Sequence, residues 1–112
     1  SIHSPLNART AGLIGLNELE QMKSNAIIIN VARGGIIDEA ALATALNNKT
    51  IAGAALDVFS KEPLPESPLY NLDDPYRLLA SPHTAWAADD AVSKLIEGVY
   101  SNIKDFLLSL YD

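Results

Sequence analysis

The chain has 112 residues, a formal charge of −6, 48% apolar residues and no cysteine. This length allows one domain or part of one, which is less than the two lobes that a dinucleotide-dependent enzyme places around its cleft. The acidic balance argues against nucleic acid as a partner, and the lack of cysteine excludes disulfides and thiolate metal sites. No apolar run approaches the roughly 20 residues that span a bilayer, and no leader pattern is present, so we expect a cytoplasmic protein without a membrane partner.

The N-terminal part of the chain has the patterns of two strands with a short helix between them. Residues 1–6 have the pattern of a strand and its exit, and so abrupt a start suggests that an upstream part is missing. Asn17 and Glu20 have capping-box spacing, which predicts a helix over 17–22. The β-branched run 26–31 predicts a strand that is buried on both faces, as parallel sheets require.

The middle of the chain predicts a further helix and strand. Asp38 is a good N-cap, and Leu42 and Leu46 share one face of a helix that ends at 47–48. The stretch 51–58 is a predicted strand rich in small residues, which would let another element approach its backbone closely.

The C-terminal part predicts a loop, a strand and a long helix. Residues 61–76 carry four prolines and predict an exposed loop. A last strand over 77–80 precedes a helix over 88–110, whose apolar side is either core or interface. The apolar positions of this helix are Val92, Leu95, Ile96, Val99, Ile103, Phe106, Leu107 and Leu110. Strands that alternate with helices predict an α/β fold with a parallel sheet.

Three residues follow the predicted strands at the same sheet edge, where parallel sheets bind ligands: Arg33, Glu62 and His83. Taken singly, each has a plainer interpretation, as a structural arginine before a Gly-Gly turn, a solvated carboxylate and a loop histidine. Together they are suited to an anionic substrate that gains or loses a proton. A carboxylate partner would fix the tautomer of His83 and let it act as a general acid.

Three other residues have more than one interpretation. Asp57 is equally compatible with an acceptor for a turn and with a group near a cofactor ring. His3 fits packing or hydrogen bonding better than catalysis. Trp86 fits either a pocket wall or an interface, and the sequence does not decide between them.

Three motifs in this order resemble the D-isomer-specific 2-hydroxyacid dehydrogenases. They are INVARGGIIDEAAL at 29–42, LDVFSKEP at 56–63 and SPHTA at 81–85, within a resemblance that runs from about residue 2 to 106. Three such motifs in order are far more specific than a single glycine fingerprint.

The resemblance implies roles for these residues. Arg33 would orient a 2-oxo acid, His83 would be the acid in reduction and the base in oxidation, and Glu62 would hold and polarise His83. The family uses NAD or NADP as the hydride carrier. The cofactor-binding residues that the resemblance implies are Pro5, Leu6, Val31, Ala32, Arg33, Asp57, His83 and Ala85.

The resemblance also indicates the substrate class. Glutamate at 62, where the formate dehydrogenases of the group have glutamine, favours a small 2-oxo or 2-hydroxy acid such as glyoxylate or hydroxypyruvate. The sequence Thr84-Ala85-Trp86 is similar to glycerate dehydrogenases and hydroxypyruvate reductases.

One departure from the family pattern matters. The glycine-rich strand-to-helix turn that binds the pyrophosphate is not in this sequence, and neither is most of the substrate lobe. The chain therefore resembles the second half of a Rossmann-like NAD(P)-binding domain, and we expect these 112 residues to be inactive alone. The alternatives are a dinucleotide-sensing protein similar to corepressors of this family, or a non-catalytic fragment that self-associates. Removal of the first half of the sheet would expose the first strand as an edge and uncover apolar surface on the long helix, so we expect a dimer or higher oligomer.

Overall fold

The computed structural model describes residues 1–63 and 66–111 and confirms the α/β class. The helices and strands in chain order are α1 (Leu16–Glu20), β1 (Ile27–Asn30), α2 (Glu39–Asn47), β2 (Gly53–Leu56), β3 (Leu78–Ala80) and α3 (Asp89–Ser109). Short 3-10 turns lie at Pro68–Asn71, Pro75–Arg77 and Ala85–Ala87. The predicted long C-terminal helix is therefore present, and it begins and ends within one residue of the predicted bounds.

The sheet is parallel, with the strand order β1-β2-β3. Its register places Ile29 beside Ala55 and Ala55 beside Leu79. The strand predicted over residues 1–6 is reduced to one parallel bridge between Ile2 and Asn30, in which the Ile2 N–H donates to the Ile29 carbonyl at 2.9 Å. No further residue of this segment pairs with β1 in the structure, so the prediction of a strand there was wrong.

The core lies between α2 and one face of the sheet. Asp38 caps α2 as predicted, since its carboxylate accepts hydrogen bonds from the Ala40 and Ala41 N–H groups at 2.9 and 3.1 Å. The predicted helix face also buries Leu42 and Leu46. The larger core residues around them are Leu19, Ile28, Ile37, Ile51, Leu56 and Leu69.

The opposite face of the sheet is open, which contradicts the prediction that β1 is buried on both faces. Ile28 is buried, whereas Ile27 and Ile29 are 62% and 39% exposed. Successive side chains of a strand point to opposite faces, and among the described elements α2 packs on only one of them. In β3, Leu79 on the open face is 71% exposed.

The long helix α3 extends away from this core. None of its residues is buried, and the described chain measures 62 × 28 × 27 Å. Its apolar side is therefore not core in the part of the chain that the structure describes. No helix among the described residues is both long and apolar enough to cross a membrane.

Two local predictions differ from the structure. Helix α1 is capped earlier than predicted, because Glu18 reaches back and accepts from the Gly15 N–H at 2.9 Å. The loop predicted over 61–76 is partly ordered into 3-10 turns and buries Leu69, which is 5% exposed. Ser67 caps the first turn through the Leu69 N–H at 3.2 Å. Positions 64 and 65 of this loop lie outside the described residues.

Candidate active site

The structure brings Glu62 and His83 together after β2 and β3. The His83 Nδ1 lies 2.6 Å from Oε2 of Glu62, and the other carboxylate oxygen, Oε1, accepts from the Phe59 N–H at 2.9 Å. The side chains of His83 and Glu62 are 41% and 35% exposed, so the pair is reachable from solvent. Both carboxylate oxygens are thus occupied by groups of this chain.

The electrostatics of the pair favour an ionised Glu62. The hydrogen bond with His83 lowers the pKa of the Glu62 carboxyl below its ordinary value, and the Phe59 N–H lowers this pKa further. An ionised carboxylate only accepts hydrogen bonds, so we assign the proton on Nδ1 to the bond with Glu62. The Nε2 atom of His83 is then the ring nitrogen that can exchange a proton with a ligand.

The backbone of His83 has an unusual conformation that neighbouring groups hold. Its φ is 55°, in the left-handed region that costs a non-glycine residue of the order of 1 kcal/mol or more. The His83 N–H donates to the Ser81 carbonyl at 3.1 Å, and the His83 carbonyl accepts from the Trp86 indole N–H at 2.8 Å. The hydrogen bond from Trp86 therefore anchors the turn over residues 81–86, which we call the histidine turn. The sequence analysis did not predict this hydrogen bond.

Asp57 fixes the same turn through hydrogen bonds from three of its residues. It is 4% exposed, and its Oδ1 accepts from the Ser81 hydroxyl at 2.6 Å and from the Thr84 N–H at 2.9 Å. Its Oδ2 accepts from the Ala85 N–H at 2.8 Å. These contacts match the interpretation of Asp57 as a turn acceptor, although the turn follows β3 and not β2.

Asp57 is charged in spite of its burial. Burial by itself raises the pKa of the Asp57 carboxyl, but the hydrogen bonds from Ser81, Ala85 and Thr84, together with the nearby His83, outweigh it. The net result is a pKa below the ordinary value. The carboxylate therefore presents a fixed negative charge beneath the histidine turn.

Arg33 lies in the turn after β1, which the side chain of Asn30 organises. Asn30 is 2% exposed, its Nδ2 donates to the Arg33 carbonyl at 2.9 Å, and its Oδ1 accepts from the Ala32 N–H at 3.0 Å. The guanidinium is exposed, and its Nη1 donates to the Ala32 carbonyl at 2.7 Å. Among the described residues, Arg33 forms no ion pair with Glu62.

Asn30 was missed as a site residue, although a signal for it exists. It is the one polar residue within an apolar run, at the last position of β1 and on the buried face of that strand. An amide there needs hydrogen-bond partners, and the nearest candidates are the backbone groups of the following turn.

A cleft of about 650 Å³ lies beside the Arg33 turn. Its lining residues are His3, Ser4, Pro5, Leu6, Val31, Ala32 and Arg33. These include five of the eight predicted cofactor-binding residues. Asp57 instead lines a separate cavity of about 160 Å³ that it shares with Val31, and His83 and Ala85 lie in the histidine turn.

The larger cleft suits part of a dinucleotide. Its lining combines apolar side chains, which can contact a flat ring, with one arginine, which can contact an anionic group. His3 also lies on this wall, where its Nε2 is 2.7 Å from the Ser1 hydroxyl, so the expected hydrogen-bonding role is observed. The described residues contain no group of three metal-ligating side chains.

Residues 1–85 match the sequence profile of the D-isomer-specific 2-hydroxyacid dehydrogenase NAD-binding domain. The glycerate dehydrogenase of Methylorubrum extorquens is 40% identical over 107 residues, which is 96% of this chain and 34% of that protein. The chain thus spans about a third of this relative.

Solved structures of similar fold agree with this match. A glyoxylate reductase from Paecilomyes thermophila aligns with a TM-score of 0.79 and 36% identity over 91% of this chain and 30% of that one. An NADPH-dependent glyoxylate/hydroxypyruvate reductase from Sinorhizobium meliloti, in complex with NADP and malonate, aligns with a TM-score of 0.69 and 41% identity. That alignment covers 78% of this chain and 26% of that one.

Proposed function

The chain belongs to the D-isomer-specific 2-hydroxyacid dehydrogenase family, and we propose that it supplies the catalytic side of an enzyme that interconverts 2-oxo and D-2-hydroxy acids. The observation that carries this proposal is the Glu62–His83 pair, with a 2.6 Å contact, at the sheet edge where the Arg33 turn also lies. A fixed imidazole and a cation at the same sheet edge can supply a proton and a positive charge to a carbonyl that lies next to a carboxylate.

In the proposed reaction His83 transfers the proton. In reduction its Nε2 gives a proton to the carbonyl oxygen at C2, and in oxidation the same atom takes the proton from the hydroxyl. Glu62 keeps Nδ1 protonated and stabilises the positive charge on the ring before transfer. The nicotinamide, when bound, supplies or accepts the hydride at C2.

In the same proposal Arg33 binds the substrate carboxylate. Its planar fork can contact the carboxylate and the adjacent carbonyl oxygen together, which fixes C2 in orientation. Asn30 holds the backbone from which this guanidinium extends. The remaining proposed cofactor contacts are Pro5, Leu6, Val31, Ala32, Asp57 and Ala85, of which the first four line the larger cleft.

We propose NAD or NADP as the cofactor and glyoxylate, hydroxypyruvate or a similar small acid as the substrate. The matched profile is that of an NAD-binding domain, and the relatives named above are a glycerate dehydrogenase and reductases of glyoxylate or hydroxypyruvate. These relatives are enzymes, so the corepressor-like alternative is not favoured.

The 112 residues correspond in this proposal to the half of the cofactor domain that carries the catalytic side chains. We expect the chain alone to oxidise NADH or NADPH with glyoxylate or hydroxypyruvate at no more than the uncatalysed rate, because a phosphate-binding glycine turn is absent from it. Turnover at ordinary enzyme rates by the purified 112-residue chain would contradict this expectation.

A chimera tests the catalytic roles directly. The segment of the Methylorubrum extorquens glycerate dehydrogenase that matches this chain is replaced by residues 1–112, and hydroxypyruvate reduction is followed by loss of NADH absorbance. We expect activity in the chimera. His83→Ala should lower kcat by about 100-fold to 10,000-fold, the range that a positioned acid supplies. Arg33→Ala should chiefly raise KM for the acid.

The control variant of the chimera carries a substitution in the same loop as Glu62. Lys61→Ala changes a charged neighbour of Glu62 and should leave both constants within about two-fold, as a surface substitution does. If the chimera folds and turns over while His83→Ala retains full kcat, the proposed role of His83 is wrong.

Two further expectations stay predictions. A cytoplasmic location stays an expectation from the sequence. A homo-oligomer is supported by the exposed apolar side of α3 and by the open face of the sheet.

A further inference from the structure

Glu39, the first residue of α2, reaches across to the loop that carries Glu62. Its Oε1 accepts from the Ser60 N–H at 2.7 Å, and its Oε2 accepts from the Ser67 hydroxyl at 3.1 Å. These partners are 21 and 28 residues away in sequence, so the contacts tie the loop to the helix that packs on the sheet. A glutamate that only served the helix start would need no such contacts.

Two adjacent peptide N–H groups of this loop are held by two different carboxylates. The Phe59 N–H donates to Glu62 at 2.9 Å, and the next N–H, that of Ser60, donates to Glu39 at 2.7 Å. The segment from Phe59 to Glu62 is therefore fixed at one end by α2, while its far end contacts His83 at 2.6 Å. A shift of this segment would move the Glu62 carboxylate directly.

The turn that carries Arg33 packs against the same segment. A Cβ atom at Gly34 would overlap the Phe59 carbonyl and lie 2.6 Å from the Ser60 nitrogen, so only glycine allows this contact. The peptide between Phe59 and Ser60 thus touches the Arg33 turn on one side and is held by Glu39 on the other.

We propose that Glu39 is a positioning residue for the Glu62–His83 pair. Through the Ser60 N–H and the Ser67 hydroxyl it fixes the 59–62 segment, and so sets where Glu62 meets His83 relative to the Arg33 turn. Glu39 touches neither substrate nor cofactor in this assignment. The inference rests on the proposed function for its kinetic consequences, but its structural part can be tested without activity.

The structural test uses the imidazole proton of His83 in the 112-residue chain. The chain contains two histidines, so selective 15N labelling of histidine gives a spectrum in which His83 is readily assigned. A proton held in a short hydrogen bond between Nδ1 and a carboxylate resonates far downfield. Glu62→Gln should remove this signal and serves as the reference for loss.

We expect Glu39→Ala and Glu39→Asp to weaken or remove the signal, since aspartate keeps the charge at the helix start but is too short to reach both loop groups. Glu39→Gln should keep it, because the amide oxygen can accept from Ser60 while the amide NH2 donates to the Ser67 hydroxyl. Asp38→Ala is the matched control, because Asp38 caps the same helix through the Ala40 and Ala41 N–H groups and forms no hydrogen bond with the described residues of the loop.

The kinetic test uses the chimera described above. Glu39→Ala should lower kcat by about 10-fold to 100-fold, as a displaced catalytic group does, with a smaller change in KM for hydroxypyruvate. The acid limb of its kcat/KM profile should move to higher pH, because a loosened Glu62 loses the contacts that lower its pKa. Asp38→Ala should lower Tm but leave this limb in place.

The outcomes separate the inference from the proposed function. A retained downfield signal and an unmoved acid limb in both Glu39→Ala and Glu39→Asp would overturn the inference, even if His83→Ala shows that the function is right. An unfolded Glu39→Ala leaves Glu39→Asp to decide. Loss of the signal in Glu39→Asp, with a His83→Ala chimera that remains fully active, would support the positioning role and overturn the proposed function.

Discussion

At the scale of single residues, Asp57 is the group whose replacement has the clearest expected result. Asn at 57 keeps the size but offers one acceptor oxygen to three donors, the Ser81 hydroxyl and the Thr84 and Ala85 N–H groups. We expect Asp57→Asn to lower the free energy of unfolding by about 1–3 kcal/mol, the cost of an unsatisfied buried donor. Urea unfolding at neutral pH measures it, and Asp105→Asn on the exposed side of α3 is the control.

The same carboxylate predicts how stability depends on pH. The pKa of Asp57 is lowered by folding from its ordinary 3.8, so the unfolded chain binds more protons at acid pH. Its contribution to stability is fully present above 3.8 and is lost as the pH falls through the lowered value. The free energy of unfolding of Asp57→Asn should therefore fall less than that of the wild type between about pH 6 and pH 3. Equal losses in both proteins would contradict this.

Replacement of Asn30 should destabilise the turn that carries Arg33. Asn30→Ala leaves the Ala32 N–H and the Arg33 carbonyl without their side-chain partner, and the site is buried. We expect a loss of about 1–3 kcal/mol in stability. In the chimera KM for the acid should rise more than kcat falls, because Arg33 would be less well fixed. The exposed Asn25→Ala should change neither stability nor KM; the same rise in KM there would refute the assignment.

At the scale of elements, replacement of glycine by alanine should have opposite effects on Tm at positions 34 and 98. Gly34→Ala places a methyl group against the Phe59 carbonyl, so the turn after β1 and the loop after β2 must separate. Gly98→Ala in the middle of α3 meets nothing within 4 Å. We expect the first to lower Tm and the second to raise it, since alanine is favoured over glycine in a helix by about 1 kcal/mol. Thermal unfolding by circular dichroism measures both, and a neutral Gly34→Ala would contradict the packing described.

How far each element was predictable from sequence depended on whether its signal is local. Helix α2 was predicted nearly to the residue, because its cap Asp38 and its buried Leu42 and Leu46 lie within one short segment. The burial of β1 was not predictable in this way. A continuous apolar run indicates that both faces avoid water, but it does not indicate whether the described residues, 1–63 and 66–111, supply a partner for each face.

The candidate site shows the same division between local and long-range signals. The positions of Arg33, Glu62 and His83 follow from strand order, because parallel strands deliver their carboxyl ends to one edge. The contacts that orient them do not follow from it. Asn30 has a local signal in its apolar run, but the link from Glu39 to Ser60 and Ser67 closes gaps of 21 and 28 residues, and no sequence spacing specifies it.

At the scale of the whole molecule, the distribution of apolar surface favours self-association. Helix α3 has 21 residues, about 31 Å at the usual rise, and its apolar side chains repeat at three-residue and four-residue steps along one side. Leu95, Ile96 and Phe106 on that side are 60–64% exposed. Large exposed apolar patches mark interaction surfaces, and the spacing suits packing against a second copy of the same helix.

A negative charge introduced on either side of α3 tests this assignment. Multi-angle light scattering at tens of micromolar should give at least twice the 12.0 kDa of one chain. Ile103→Glu places a carboxylate within the apolar side of α3, where a dimer would have to bury it unpaired, and it should shift the mass to that of a monomer. Ser101→Glu adds the same charge on the opposite side of the helix, since two residues turn it by about 200°, and should leave the mass unchanged. A monomeric wild type would sink the proposed self-association, and equal dissociation by both variants would assign the effect to net charge instead of to the apolar side of α3.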